Sequence, residues 1–512
     1  MRTCLLLFTL CALLPTPARC GGYSTTITNF NRAGDQVARF DVDGNSLDAH
    51  DGAIAIFDKT YYLYGTSYAC GFVWQQPGAP FCGFKSYSST DLVHWKDNGF
   101  LFDAATPQWQ NRCDGNTTGC FRPHVIYNAR TGKYVLWFNA TDNVSDYHVL
   151  TSTSPIGPFT QVADPLLAVN ADRPPGGNNG DETLFADDDG RAYIAYTDWA
   201  TGHGSIVVEL LNADYTSGSG HYARTETSAT EAPALFKYRG RYYVTYSDPN
   251  CGYCGSTGTS YMTADSPLGP WSAGTKISMD SCGGQPSFVS AIPSPSGVSL
   301  LYGSDLWNNG NHNEGQANYY WATLNFDRHG EIQPMACEDT VNVPMSVGKA
   351  GAYREKPDVD SASGLDGFSL WCDIGGPVQR SQSFVATKTG ELTGVTFTTF
   401  QSGKPNAGLE VDIYASKNSL PVGSPLSTTI VDASAIAWAP NGVSIHPNVH
   451  VDAGQEYAIV LKSSTTSGCY GFAYSDTHPY RQASEAFSAN GGVKFTVETN
   501  RSARFETAME YW

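Results

Sequence analysis

Three carboxylates head short apolar segments: Asp51 in DGAIAIF (51–57), Asp181 in DETLFAD (181–187) and Glu231 in EAPALFK (231–237). Two carboxyls of different proton affinity can do general acid–base chemistry. One protonates a leaving oxygen while the other activates water or attacks carbon, which is what cleavage of a glycosidic bond requires. Glu231 precedes Ala-Pro and an apolar run, so burial is expected to raise its pKa and suit it to the acid role. Asp51 is the base in this reading, and Asp181 orients Glu231 and tunes it by like-charge coupling. Any one of these acids alone could cap a turn, as Asp187-Asp188-Asp189-Gly190 is expected to do. Their shared register in similar segments is what favours catalysis. A slip of one residue would put Glu182 in the place of Asp181, but strand alternation points it to the opposite face.

The elements that must bring these residues together are repeats. Helical periodicity is nearly absent, and short Val-, Ile-, Tyr- and Thr-rich runs broken by Gly, Pro, Asn and Asp mark an all-β chain. Five Tyr-rich segments recur: YYLYGTS (61–67), YVLWFNA (134–140), AYIAYTD (192–198), YYVTYSD (242–248) and SLLYGSD (299–305). Each follows an apolar partner across a polar turn, beginning at Asp51, Phe121, Asp181, Glu231 and Gln285. A third element recurs in SSTDLVHW (88–95), TSTSPIGPF (151–159) and TADSPLGPW (263–271). Repeats of this kind describe a five-bladed β-propeller over residues 21–347. Its innermost strands would bring Asp51, Arg122, His124, Asp181, Glu231 and Gln285 to one mouth of the axis. A Gly-, Ser-, Asp- and Pro-rich stretch, 348–367, reads as a linker. The alternating strands of 368–512 then read as a β-sandwich of jelly-roll type, either a carbohydrate-binding module or a structural wedge.

Bulk properties bound the setting. Residues 1–20 read as a secretory signal peptide, so the protein is expected to be secreted and extracellular. Of 13 Cys, those outside the leader are expected to form disulfides. Cys70/Cys82, Cys113/Cys120 and Cys372/Cys469 are the plausible bridges, and Cys251-x-x-Cys254 is read as a disulfide rather than a zinc or redox motif. Asn116, Asn139, Asn143 and Asn500 head glycosylation sequons. A net charge of −18 with no basic stripe argues against nucleic acid or an anionic membrane as partner, and a monomer is expected. The 29 Tyr and 11 Trp suit sugar binding only weakly, since β-sheet proteins are rich in such rings anyway.

The residues from about 48 to 348 resemble glycoside hydrolase family 43. The resemblance rests on an Asp ten residues before Tyr61-Tyr62, an Asp six before DDDG, and EAPALFKYRGRYY. It implies a five-bladed propeller with Asp51 as base, Asp181 as pKa modulator and Glu231 as acid. The reaction would be inverting, through water held between carboxyls roughly 6.5–9.5 Å apart. YSSTDLVHW, RPHVIYNARTGKYVLW, DETLFADDDGRAY and GGQPSFV resemble the exo-β-1,3-galactanase branch. Those enzymes lack an acid at the place of Asp51, handle water with a Gln matching Gln285, and carry an acid where this chain has Phe121. The two departures favour another sugar, an arabinofuranose or galactofuranose removed from plant cell-wall arabinan or arabinogalactan. An exo-β-1,3-galactanase is the alternative enzyme, and a non-catalytic glycan-binding propeller the alternative of another class. Arg122 and His124 are expected to bind sugar hydroxyls or the modulator carboxylate. His50, Trp74 and Trp109 are candidates to line the subsite, although either Trp could instead pack a loop. No cofactor is expected to be required; His312 in NNGNHNEG is a weak candidate to help hold an axial water or calcium.

Overall fold

The structure, a computed structural model, describes residues 23–510 apart from 115–118, 141–145, 166, 171–178, 251–254, 308–311 and 347–359. The expected leader, the sequons at Asn116 and Asn143, the Cys251/Cys254 pair and most of the expected linker lie outside the described residues. Strands are the dominant regular element of the rest, with one short α-helix, Pro107–Arg112, among the described residues.

Five antiparallel meanders follow one another along the chain. The first contains His50–Phe57, Thr60–Thr66, Phe84–Ser89 and Lys96–Phe100; the second Cys120–Asn128, Lys133–Ala140, Tyr147–Ser152 and Thr160–Ala163. The third contains Asn179–Ala186, Ala192–Asp198, Ser205–Leu211 and Gly218–Arg224; the fourth Glu231–Tyr238, Arg241–Ser247, Thr259–Ala264 and Thr275–Ser278. Gln285–Ser294, Gly297–Leu306 and Asn318–Thr323 make the fifth. Turn chemistry sets the hairpins. Asp58 and Lys59 (φ 47° and 67°), like Arg239 and Gly240 (φ 51° and 83°), take the left-handed pair of values that a two-residue hairpin with native strand twist demands.

The first strand of each sheet packs against the first strand of the next, and that of the fifth against that of the first. Buried side chains fill each seam. Tyr64, Phe84, Leu136 and Phe138 lie between the first and second sheets; Trp137, Tyr147, Ile194 and Tyr196 between the second and third. Tyr193, Ile206, Leu235 and Val244 join the third to the fourth. Tyr243, Phe288, Leu301, Leu63 and Trp95 close the group where the fourth, fifth and first meet.

Beyond residue 360 two larger sheets, of eight and six strands, share one core that includes Phe384, Val395, Phe397, Val411, Ile459 and Phe472. Residues 360–367 of the expected linker are part of this region: Ser361–Ala362 pairs with Phe505–Glu510, and Leu365 is buried in the same core. So are Ala38 and Phe40 from the start of the chain. The Arg504 guanidinium lies 4.4 Å from the Phe40 ring centre, and its Nη1 donates to the Gly44 carbonyl at 3.1 Å, across a separation of 460 residues. A second junction joins Trp438 N–H to the Ala69 carbonyl (3.0 Å). Disulfides link Cys70–Cys82, Cys113–Cys120 and Cys372–Cys469 as the spacing suggests, and also Cys282–Cys337.

Candidate active site

One backbone device recurs at the head of all five first strands. His50 pairs with Thr66 but Ala53 with Tyr64, so three steps on one strand face two on its neighbour. The same one-residue excess lies between Phe121 and His124, Asn179 and Glu182, Glu231 and Ala234, and Pro286 and Phe288. A bulge of this kind re-aims the side chains before it without disturbing those after it. Asp51, Arg122 and Ala232 take left-handed φ values of 52°, 57° and 53° within it. This corrects the register expected from sequence. His50, Phe121, Asn179, Glu231 and Gln285 hold equivalent places, Asp51 sits one residue further on and Asp181 two. The extra residue is invisible to a count of apolar alternation, which led to aligning the three acids with one another.

The bulges nonetheless bring residues of all five sheets together. Arg122, almost wholly buried, is the hub. Its Nη2 meets Asp181 Oδ2 at 2.8 Å, its backbone N–H donates to Asp51 Oδ1 at 3.2 Å, and its Nη1 donates to the Pro286 carbonyl at 3.1 Å. Burial works against the guanidinium charge, but Asp181, Asp51 and Asp305 together raise its pKa above the ordinary value. Asp51 is 3% exposed. Thr66 Oγ1 donates to its Oδ1 and Tyr68 OH to its Oδ2, both at 2.7 Å. Burial pushes the Asp51 carboxyl up to about 7; Arg122 opposes the rise, Asp305 adds to it, and the two hydroxyls oppose it.

Glu231 stands in a different setting. Trp199 Nε1 donates to its Oε1 at 3.1 Å and Gln285 Nε2 to its Oε2 at 3.4 Å. Trp307 Nε1 donates to Gln285 Oε1 at 3.1 Å, so the amide can present only its NH₂ to Glu231. Burial and the Asp181 charge raise the Glu231 pKa, against Trp199, Arg122 and Asn250, which stabilise the ionised form. Glu182 is 1% exposed, with no hydrogen-bond partner on either oxygen; burial and the Asp181 charge lift it well above the usual carboxylate range, against Arg122.

Other candidates sit elsewhere. His50 is fully buried, stacked between Tyr68 and Tyr319 with centroids 5.5 and 5.1 Å away, and it faces Asp48 and Asp305 rather than an open subsite. His124 is buried against Thr183 and Leu184 N–H; burial and Arg122 push its pKa down to about 3, so it stays neutral. Trp109, on the short helix, packs into the core on Phe102, Phe138 and His148, the loop-packing alternative. Trp74 is half-buried, with its backbone N–H on Glu314 Oε1. Phe121 sets its ring edge-on to Phe72 at 6.0 Å. His312 is exposed, and among the described residues no group of three or more His, Cys, Asp or Glu could hold a metal ion. Sequence reasoning missed Trp199, Trp307, Thr66, Tyr68 and Asp305. All lie at or just beyond the ends of the second strands, which antiparallel pairing places beside the heads of the first. Comparing those ends across the repeats, TDW against SDLW, would have exposed both indoles.

Carboxyls whose surroundings separate their proton affinities, gathered where several elements converge, define the class of acid–base enzymes that work with paired acids. Residues 45–283 match the model of glycosyl hydrolases family 43. A β-D-galactofuranosidase of Aspergillus niger is 30% identical over 231 residues, which cover 44% of this chain and 64% of that one. An arabinoxylan arabinofuranohydrolase of Paenibacillus polymyxa is 26% identical over 255 residues, 43% of this chain and 38% of its own. The chain thus spans less than two thirds of the length of these curated relatives. An exo-β-1,3-galactanase from Clostridium thermocellum shares the fold over 84% of this chain and 88% of its own, with a TM-score of 0.53 and 21% identity.

Proposed function

We propose that this protein is a secreted, inverting exo-glycosidase that removes galactofuranosyl or α-L-arabinofuranosyl residues from plant cell-wall polysaccharide. In this reading the five sheets are the blades of a propeller, and the two C-terminal sheets form a sandwich of jelly-roll type. Glu231 is the acid and Asp51 the base. Asp181 keeps Glu231 protonated by its charge and holds Arg122.

The observation that carries the reading is the sorting of donors among the three acids. Asp181 pairs with the Arg122 guanidinium, and Asp51 receives two hydroxyls and a backbone N–H, donors that favour its ionised form. Glu231 has only neutral side-chain donors and lies near a carboxylate, which keeps it a proton donor. The choice of a furanoside rests on the presence of Asp51 and on likeness to the galactofuranosidase and arabinofuranohydrolase named above.

A panel of aryl β-D-galactofuranoside, aryl α-L-arabinofuranoside and de-arabinosylated β-1,3-galactan tests the substrate. Furanoside turnover supports the proposal, and release of galactose from galactan alone overturns it. Proton NMR of the first anomer formed tests inversion; retained configuration rules out water held between Asp51 and Glu231. One observation favours the exo-β-1,3-galactanase reading: Gln285, pinned by Trp307, already touches Glu231, while Asp51 is recessed. Turnover that survives Asp51→Asn but not Gln285→Ala would establish that alternative.

A further inference from the structure

Trp199 is 39% exposed, an unusual state for an indole whose N–H is committed to a buried-side acid. Its position is built rather than incidental. A Cβ on Gly180 would lie 2.9 Å from Trp199 Cδ1 and Nε1 and 3.1 Å from Glu231 Oε1; one on Gly204 would lie 2.6 Å from the far edge of the ring. Two glycines of the third sheet therefore leave the space the indole fills, one at each end. Glycine 204 also requires its left-handed φ of 77°.

The two oxygens of Glu231 face different surroundings. Oε2 lies toward Gln285, from the fifth sheet, whose neighbour Pro286 bonds Arg122. Oε1 lies toward Trp199 and the exposed rim. A general acid must stand between the sugar being cleaved off and the group that leaves, because it protonates the oxygen joining them. An exposed indole on the rim side of that acid is placed where the leaving sugar stands, and the C–H face of a sugar ring packs on such a plate.

We infer that Trp199 is the platform for the leaving-group sugar of an oligosaccharide, and that its N–H positions Glu231 and steadies the carboxylate left after proton transfer. The inference rests on the acid reading of Glu231. The step balances: the Glu231 carboxyl proton passes to the glycosidic oxygen as its bond to the anomeric carbon breaks, while water forms the new bond to that carbon and gives its proton to Asp51. The negative charge remains on a carboxylate that already accepts the Trp199 N–H. Because that bond favours the ionised form, its loss raises the acid's pKa.

The test compares Trp199→Phe, which keeps a plate but no donor, with Trp199→Ala, which keeps neither. Each is assayed on an oligosaccharide and on the glycosyl fluoride of the same terminal sugar, which has no leaving sugar and needs no proton. Trp199→Phe should hold KM for the oligosaccharide within about threefold and move the alkaline limb of kcat/KM up by about half a pH unit or more. Trp199→Ala should raise that KM roughly tenfold, the order expected for a lost aromatic platform. Both should lose far less on the fluoride than on the oligosaccharide. Equal losses on the two substrates, or an unchanged oligosaccharide KM in Trp199→Ala, would overturn the platform; an unmoved alkaline limb in Trp199→Phe would overturn the N–H role. Glu231→Gln run alongside keeps the two readings apart. It should fail on the oligosaccharide yet act on the fluoride, and if it hydrolyses the oligosaccharide normally, the acid assignment itself is wrong.

Discussion

The surroundings of Asp51 and Glu231 differ in a way that separates two uses of burial. Both carboxyls are lifted by desolvation. Around Asp51 the protein answers with hydroxyls and a cation, and the group is enclosed. Around Glu231 it answers with an indole, an amide and a nearby carboxylate, and the rim stays open at Trp199. Burial alone thus does not assign a role; the donors that accompany it do. An enclosed carboxylate held by hydroxyl donors suits a base that activates a water, while an acid at the rim can reach the oxygen of a large leaving group.

The comparison can be broken by removing each side in turn. Glu231→Gln should cost the most, on the order of 10³-fold in kcat on a sugar leaving group, with the circular dichroism spectrum kept. Asp51→Asn should lower kcat by roughly 10²-fold or more, and it has a second signature in stability. Because the folded state raises the Asp51 pKa from 3.8 to about 7, the folded protein binds more protons than the unfolded chain between those values. Its contribution therefore worsens as pH rises through that window. Asn removes the penalty, so denaturant titrations should show the variant gaining on wild type between pH 4 and pH 8, by on the order of 4 kcal/mol.

Smaller changes sharpen the contrast. Asp181→Asn takes away a charge that raises Glu231, so the alkaline limb of kcat/KM should move to lower pH with a loss of about tenfold at neutral pH. Thr66→Val removes a donor that lowers the Asp51 pKa; the acid limb should move up by roughly half a unit while the alkaline limb stays. Trp307→Phe frees Gln285 to flip its amide and should cost only a few-fold, read as kcat at fixed pH.

Much of this arrangement was legible in the chain. Tyr-rich second strands, polar turns and strand-heading acids located the five sheets and named Asp51, Asp181, Glu231, Arg122 and Gln285, which the structure links through the Arg122 contacts with Asp51, Asp181 and Pro286 and through the Gln285–Glu231 bond. Three things were not legible. Each bulge is a single residue of backbone excess, which leaves no mark in composition, so the acids were given one register instead of three offsets. The indoles of Trp199 and Trp307 follow the second strands, and only pairing shows that those ends adjoin the heads of the first. His50 carries a side chain able to bind sugar, yet its burial between two tyrosine rings depends on Tyr319, far away in sequence.

The Arg504 contacts with Phe40 and Gly44 bear on how the chain is made. At synthesis rates of about 5–20 residues per second, the 460 residues between Gly44 and Arg504 take tens of seconds to emerge. Throughout that time Phe40 and Ala38 lack the cover that Arg504 and its neighbours supply, and the five sheets that follow them are complete before it arrives. The chain therefore cannot finish folding in the order in which it is built, and the segment that holds Ala38 and Phe40 must wait for its last strands.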